Sequence, residues 1–268
     1  MIAISAAPLL SQTTPAEQTT PDSATVRKNK KLFNHRDLVM AGVWTATTLA
    51  LTPLDKHLAH QLQDSSVQAN HFLKDASNGL EFIASPGAYY IGGSLYLVGK
   101  VTGHPRIADL GWHGTEAVLL GELTSYVIKG TLGRSRPFVS IEDPDDFHLG
   151  KGFSTSRYRS FPSGHSTTAF AAAAAVTDET TLWWPKSTWV IGPLMYGGAT
   201  MVGLSRMYHN RHWASDVAVG AMIGTFSGKK VVLASHSSPH NIIDRVMLGG
   251  MVEPSEYGGV KIGLQKKW

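Results

Sequence analysis

The sequence predicts an all-α fold, a bundle of about six helices, and three observations carry that prediction. Long uncharged or weakly charged apolar stretches of helical length recur along the 268 residues. One of them, 163–177, is dominated by alanine, the strongest helix former. The breaks between them hold the glycines and prolines that stop helices.

The elements follow in order. Residues 38–54 are apolar and uncharged, with Pro53 as the stop. Residues 82–99 form a second uncharged run, loosened by Pro86, Gly87, Gly92 and Gly93. Residues 107–129 are amphipathic and contain Asp109, Glu116 and Glu122. After the alanine-rich 163–177, residues 187–204 are uncharged and bounded by Lys186 and Arg206. The last core helix is expected from His212 to about Lys230. Residues 245–252 and 259–268 alternate enough to suggest a short C-terminal β-hairpin.

One helical domain, 32–235, is expected between a tail, 1–31, and a C-terminal extension, 236–268, with no internal repeat. Residues 1–10 are apolar with small side chains and read as a remnant of a signal peptide. Residues 11–24 are rich in Thr, Pro, Ser and Gln and read as disordered. A basic cluster, Arg27, Lys28, Lys30 and Lys31, precedes the first apolar run. The net charge of +4 suits an anionic substrate or a membrane surface. The absence of cysteine excludes disulfides, thiolate chemistry and Cys-type zinc sites. Three runs approach bilayer-spanning length, and the basic cluster fits a cytoplasmic N-terminus. Mean hydropathy of −0.06 and the three carboxylates of 107–129 weigh the other way, so the reading preferred on sequence is a soluble or peripherally attached bundle.

Three segments gather phosphate-seeking groups beside helix ends. In Pro162-Ser163-Gly164-His165, Ser163 stands where an N-cap belongs and Gly164 lets backbone approach a ligand. The first amides of a helix make an anion site, which His165 would adjoin. In 205–216, His212 and Asp216 are four apart and would share a helix face. A carboxylate on one ring nitrogen leaves the other as a nucleophile. In 129–137, Lys129 and Arg136 are separated by Gly130 and Gly133, and Pro137 stops the helix. Arginine grips phosphate oxygens in pairs, and lysine supplies a point charge. Taken singly, each segment also reads as a capped helix start, a surface ion pair or a solvated basic loop.

Together the segments read Lys-x6-Arg-Pro, Pro-Ser-Gly-His and Ser-Arg-x5-His-x3-Asp, matched at every fixed position. Over roughly residues 112–230 the chain thereby resembles the type 2 phosphatidic acid phosphatase and vanadium haloperoxidase superfamily. The resemblance implies an acid phosphatase/haloperoxidase-like helical core that needs no metal. It implies phosphoryl binding by Lys129, Arg136 and Arg206, with Ser163 and the Gly164 amide adding hydrogen bonds. It makes His212 the nucleophile that forms a phosphohistidine, Asp216 its orienting group and His165 the acid, then base. Such a ring of fixed cations stabilises the equatorial charge of a transferring phosphoryl group. Lys and Arg nearby keep His212 neutral, a bound anion keeps His165 protonated, and the two together predict a bell-shaped pH profile.

The expected protein is a phosphoric ester hydrolase of the cell envelope, periplasmic or membrane-associated with its site facing outward. Its substrate is a phosphate mono- or diphosphate ester, with phosphatidate, polyprenyl diphosphate, lipid A phosphate and soluble phosphomonoesters all open. No cofactor is expected, with vanadate as a phosphate mimic, and no nucleic-acid partner. The alternatives are a vanadate-dependent haloperoxidase and a non-catalytic anion or lipid-head-group binder. His57, His60, His209, His236 and His240 lack an accompanying carboxylate cluster and read as ordinary histidines. The 138–160 loop, acidic then basic, reads as a solvated loop.

Overall fold

In a computed structural model, residues 32–237, 241–248, 250–254 and 260–264 are described. The expected tail, 1–31, lies outside them. Helix α1, His35–Leu51, starts in a capping box: the Asn34 side chain accepts from Arg36 N, and the Asp37 carboxylate accepts from Asn34 N. Pro53 does not end the helical path as expected. It sits in a 3-10 turn, Thr52–Leu54, where its missing N–H costs nothing, and the chain continues into α2, Asp55–Leu62. Two short helices follow, α3 (Ser65–Gln68) capped by Asp64 and α4 (His71–Phe82) capped by Asn70. These three polar helices were not among the six expected, because they lack long apolar runs.

The run expected at 82–99 is broken at Ser85, whose φ of −156° is extended, ahead of Pro86. Helix α5 then occupies Ala88–Val101 and α6 Pro105–Leu132, the latter ending at Gly133 in the left-handed region, φ 62°. Helix α7, Gly164–Trp183, is capped by Ser163, and α8 is Thr188–Tyr208. Helix α9 runs Ala214–Ser237, so His212 precedes the helix instead of opening it, and the boundary expected at 235/236 falls inside it. Helix α10, Ile242–Met247, occupies the start of what read as a first strand; β1 (Gly250–Pro254) and β2 (Val260–Leu264) pair antiparallel, Val252 opposite Ile262.

Close approach of small residues fixes the helix directions. A Cβ on Gly220 would lie 2.5 Å from the Ser163 carbonyl, on Gly224 2.2 Å from that of Thr167, and on Gly228 2.6 Å from that of Ala171. The two series advance together, so α7 and α9 run parallel in near contact. Helix α6 runs against them: Ser125 meets Thr167 at 2.8 Å, and Lys129 reaches the Pro162 carbonyl at 2.6 Å. Helix α8 is also antiparallel to α7, with Gly203 beside Ser166 and Gly192 beside Thr177. Hence the N-termini of α7 and α9 and the C-termini of α6 and α8 meet at one end of the bundle.

The core is built from small residues, with Ala117, Ala171, Ala175 and Val232 in one cluster and Phe170, Ala173, Ala199 and Ala221 in another. Large apolar side chains lie outside. Leu38 and Val43 on α1, Ile91 and Leu97 on α5, Leu119 and Leu123 on α6, and Val190 and Leu194 on α8 are exposed, as is Trp189 at 82%. The helical segments His35–Leu62 and Ala214–Ser237 are long and apolar enough to cross a bilayer.

Candidate active site

The convergence of four helix ends brings the three sequence segments together. Lys129 stands in the last turn of α6 and donates to the carbonyls of Arg159 and Pro162, at 3.1 and 2.6 Å. It thereby holds the loop leading into Ser163. Ser163 is fully buried and its hydroxyl accepts from Ser166, while its own N–H donates to the Asp216 carbonyl at 3.0 Å. Lys129, Arg136 and Arg206 lie within electrostatic range of one another and of His165, and Lys129 and Arg136 also reach His212. Burial and the neighbouring Arg211 and Arg206 pull the Arg136 pKa down to about 10, which leaves it cationic at neutral pH.

His212 is 4% exposed, and its orientation differs from the expected i, i+4 pair. Its Nδ1 lies 2.6 Å from the Ser160 carbonyl, whereas the Asp216 carboxylate is 3.7 Å away, beyond hydrogen-bond reach. His212 lies two residues ahead of α9, outside the helix, so it does not share a helix face with Asp216. A carbonyl can only accept, so Nδ1 carries the proton and Nε2 keeps a free lone pair. Burial pushes the His212 pKa down, Asp216 opposes this, and Lys129 and Arg136 add to the fall, to about 3. The ring is therefore a neutral nucleophile at any ordinary pH.

Asp216 acts on this ring through intermediaries. One oxygen accepts from Ser160 Oγ at 2.5 Å and Trp213 N at 2.9 Å, and the other from Arg134 at 2.6 Å. Arg134 also donates to Asp55 at 2.9 Å, Ser215 at 2.8 Å and the Pro144 carbonyl at 2.7 Å, between the rings of Phe147 and Trp213. Trp213, almost wholly buried, anchors its indole N–H on the Ser135 carbonyl. Sequence reasoning missed Arg134, Asp55 and Ser160. Arg134 lies inside the first segment, and its place between two other motif positions was the available signal; Asp55 had none, since its partners are remote in the chain.

His165 lies in the first turn of α7, with Nε2 4.0 Å from Glu81 on α4. Glu81 also pairs with Arg206 at 2.6 Å and His209 at 2.8 Å. Burial raises its pKa, but Arg206 and His209 outweigh that and hold the carboxylate at about 2. Glu81 was likewise missed, because α4 was not expected. Two openings flank it: a cleft of about 170 Å³ lined by Ser85, Tyr126, Lys129, Gly164 and His165, and one of about 350 Å³ lined by Lys74, Glu81, His209 and Arg211. The 138–160 loop is tied down: Glu142 pairs with Lys56 and His60, and Asp146 with Ser135 and His148.

Residues 111–238 match the model of the PAP2 superfamily. Among curated relatives, a lipid A 1-phosphatase of Porphyromonas gingivalis is 44% identical over 72 residues, 26% of this chain and 15% of that one. An undecaprenyl-diphosphatase of Sulfolobus acidocaldarius is 28% identical over 138 residues, 49% of this chain and 56% of that one. The chain thus spans a small part of the first relative and about half of the second. Among solved structures, a transmembrane PAP2 type phosphatidylglycerolphosphate phosphatase from Bacillus subtilis superposes with a TM-score of 0.58 at 16% identity, over 78% of this chain and 100% of that one, and shares the fold.

Proposed function

We propose that this chain, whose residues 111–238 match the PAP2 superfamily model, is a phosphatase acting on lipid-linked phosphate mono- or diphosphate esters through a phosphohistidine on His212. One observation carries the reading: a buried neutral imidazole, its Nδ1 fixed by Ser160, lies among three convergent basic side chains at the meeting of two helix N-termini. The substrate phosphoryl oxygens occupy the space between Lys129, Arg136, Arg206 and the first amides of α7. Burial and the Arg206 guanidinium hold the His165 pKa at about 4, below what the expected protonated state requires, and a bound phosphoryl anion raises it. Nε2 of His212 attacks phosphorus, and the phosphorus–oxygen bond to the leaving group breaks as His165, protonated beside that anion, gives the leaving oxygen its proton. His165 then takes a proton from water, which attacks the phosphohistidine, releases inorganic phosphate and restores the free imidazole. The cations of the chain supply the charge stabilisation that a metal ion gives other phosphatases. Three carboxylates at this end are committed to arginines, Asp216 and Asp55 to Arg134 and Glu81 to Arg206.

The lipid-linked substrate is supported by the surface and by the curated relatives, whose names specify lipid A and undecaprenyl diphosphate. An apolar exterior on α1, α5, α6 and α8 suits hydrocarbon better than water. It favours a bilayer-embedded bundle over the peripheral one preferred on sequence. The orientation follows from charge. The basic cluster at 27–31 directly precedes Leu32, whose carbonyl accepts from Lys230 near the C-terminal end of α9, remote from His212. With that cluster on the cytoplasmic side, the active site faces outward.

The test is phosphate release from undecaprenyl diphosphate, phosphatidate, lipid A and a soluble phosphomonoester, with a chelator present, by wild type and His212→Ala. Turnover of a lipid substrate that His212→Ala abolishes, with vanadate inhibiting, is the expected outcome. Hydrolysis of none of them, or bromide oxidation by the vanadate-loaded protein with peroxide, sinks the reading.

A further inference from the structure

A second cluster of chemistry-bearing side chains lies at the other end of the bundle. His113 on α6, Glu179 on α7 and His236 in the last turn of α9 converge, their ligand atoms all within 4.8 Å of one another. Counted along α6 and α7 from Lys129 and His165, the cluster is roughly 20 Å from the active site. No carboxylate accompanies His236 in its own stretch of chain; the fold brings Glu179 to it from 57 positions away. We propose that His113 Nδ1, Glu179 and His236 Nε2 form a structural binding site for a divalent transition-metal ion of the zinc class.

The geometry is that of a ligand set already assembled. One oxygen of Glu179 lies 2.5 Å from His113 Nδ1 and 2.9 Å from His236 Nε2. Bonds of about 2.0–2.1 Å in a tetrahedron need edges of about 3.3 Å, so an entering ion opens each of the two Glu179 edges by under about one ångström. Two imidazoles and a carboxylate are the donors zinc takes, and water completes the tetrahedron. His236, with its side chain 30% exposed, leaves that position open to solvent, while His113 and Glu179 are buried. The surroundings fit as well. The second nitrogen of His113 faces the Asp244 carboxylate at 3.7 Å, and Trp112 holds that carboxylate through its indole N–H at 3.2 Å. A ligating histidine characteristically turns its other nitrogen to a carboxylate in this way.

Two further observations favour a cation here. Glu179 is fully buried, yet its second oxygen has no hydrogen-bond partner among the described residues. Three carboxylates, Glu179, Asp244 and Glu116, gather around two histidines, so acidic groups outnumber the rings beside them. A divalent ion neutralises that excess. It also pins α6, α7 and α9 together at the end away from catalysis and, through Asp244, docks α10.

The test uses the full chain in detergent, stripped with a chelator and titrated with Co²⁺ as a spectroscopic probe. The expected result is one equivalent per chain with the visible bands of tetrahedral Co²⁺, displaced by Zn²⁺, absent in His236→Ala and Glu179→Gln, and retained in His212→Ala. X-ray absorption of the zinc-loaded wild type then shows two imidazoles and oxygen ligands. No tetrahedral cobalt spectrum in wild type, binding that survives both ligand substitutions, or binding lost in His212→Ala overturns the proposal. The readout is metal binding, so its failure is separate from any failure of the phosphatase reading.

Discussion

Asp216→Asn separates two accounts of how the carboxylate supports His212. If it touched the imidazole directly, the substitution would disable the nucleophile outright. At 3.7 Å, with Ser160 fixing the ring, the loss is electrostatic. A full charge at that distance is worth between about 4 and 5 kcal/mol at an effective dielectric of about 20. The Arg134 guanidinium, 2.6 Å from the other oxygen, offsets about half. About 2 kcal/mol of support for the charge that develops on His212 remains, or about 30-fold in rate. Loss of the nucleophile in His212→Ala costs about 10⁴-fold or more. The asparagine also carries a stability cost. Both carboxylate oxygens face donors, Arg134 on one side and Trp213 N on the other, so the amide NH₂ must face one of them. An unmet group costs about 1–3 kcal/mol, and each kcal/mol lowers Tm by about 2–4 °C in a chain of this size. Single-turnover phosphate release and thermal melting in detergent read both effects. Asp216→Asn as inactive as His212→Ala at unchanged Tm, or fully active, refutes the indirect role.

Three further predictions follow from the same geometry. His212 has a pKa near 3 against about 6.5 unfolded, so the unfolded chain binds the extra proton between those values, and stability present above pH 6.5 is lost as pH falls toward 3. Glu81, held at about 2, adds loss between about pH 4.5 and 2, so melting from pH 7 down to 4 is expected to show a steady fall in Tm; a flat profile contradicts the buried neutral imidazole. Glu81→Gln removes the carboxylate that occupies Arg206 at 2.6 Å, and inhibition by inorganic phosphate is expected to tighten severalfold; weaker inhibition means that Glu81 holds Arg206 in place. Gly224→Ala puts a Cβ 2.2 Å from the Thr167 carbonyl and forces α7 from α9; a drop in Tm worth about 1–3 kcal/mol or more is expected, and an unchanged Tm denies the close parallel contact.

Much of this protein was legible in the chain itself. Helix-length apolar runs announced α1 and α5 to α9. The residues Lys129, Arg136, Ser163, Gly164, His165, Arg206 and His212 were readable because each sits in a local pattern of cap, glycine and cation that phosphate binding demands. Helices α2 to α4 were not readable, since short capped polar helices carry no long periodic signal, and Glu81 was lost with them. The helical face assumed for His212 and Asp216 was wrong by two residues of helix start. That shift is invisible in composition, yet it replaces a direct contact by one routed through Ser160.

What the sequence by itself determined is the local material of the proposed site: helices, a capped glycine turn, two histidines and the basic side chains, all encoded within a few neighbouring residues. Only the tertiary structure decided which groups meet. The glycines of α9 let α7 lie parallel within backbone contact, so two helix N-termini and two C-terminal cations share one end of the bundle. The same packing joins Arg134 to Asp55 and Asp216, and His113 to Glu179 and His236. Such pairs are separated by tens of residues, and their meeting depends on helix direction and spacing, which local sequence does not encode.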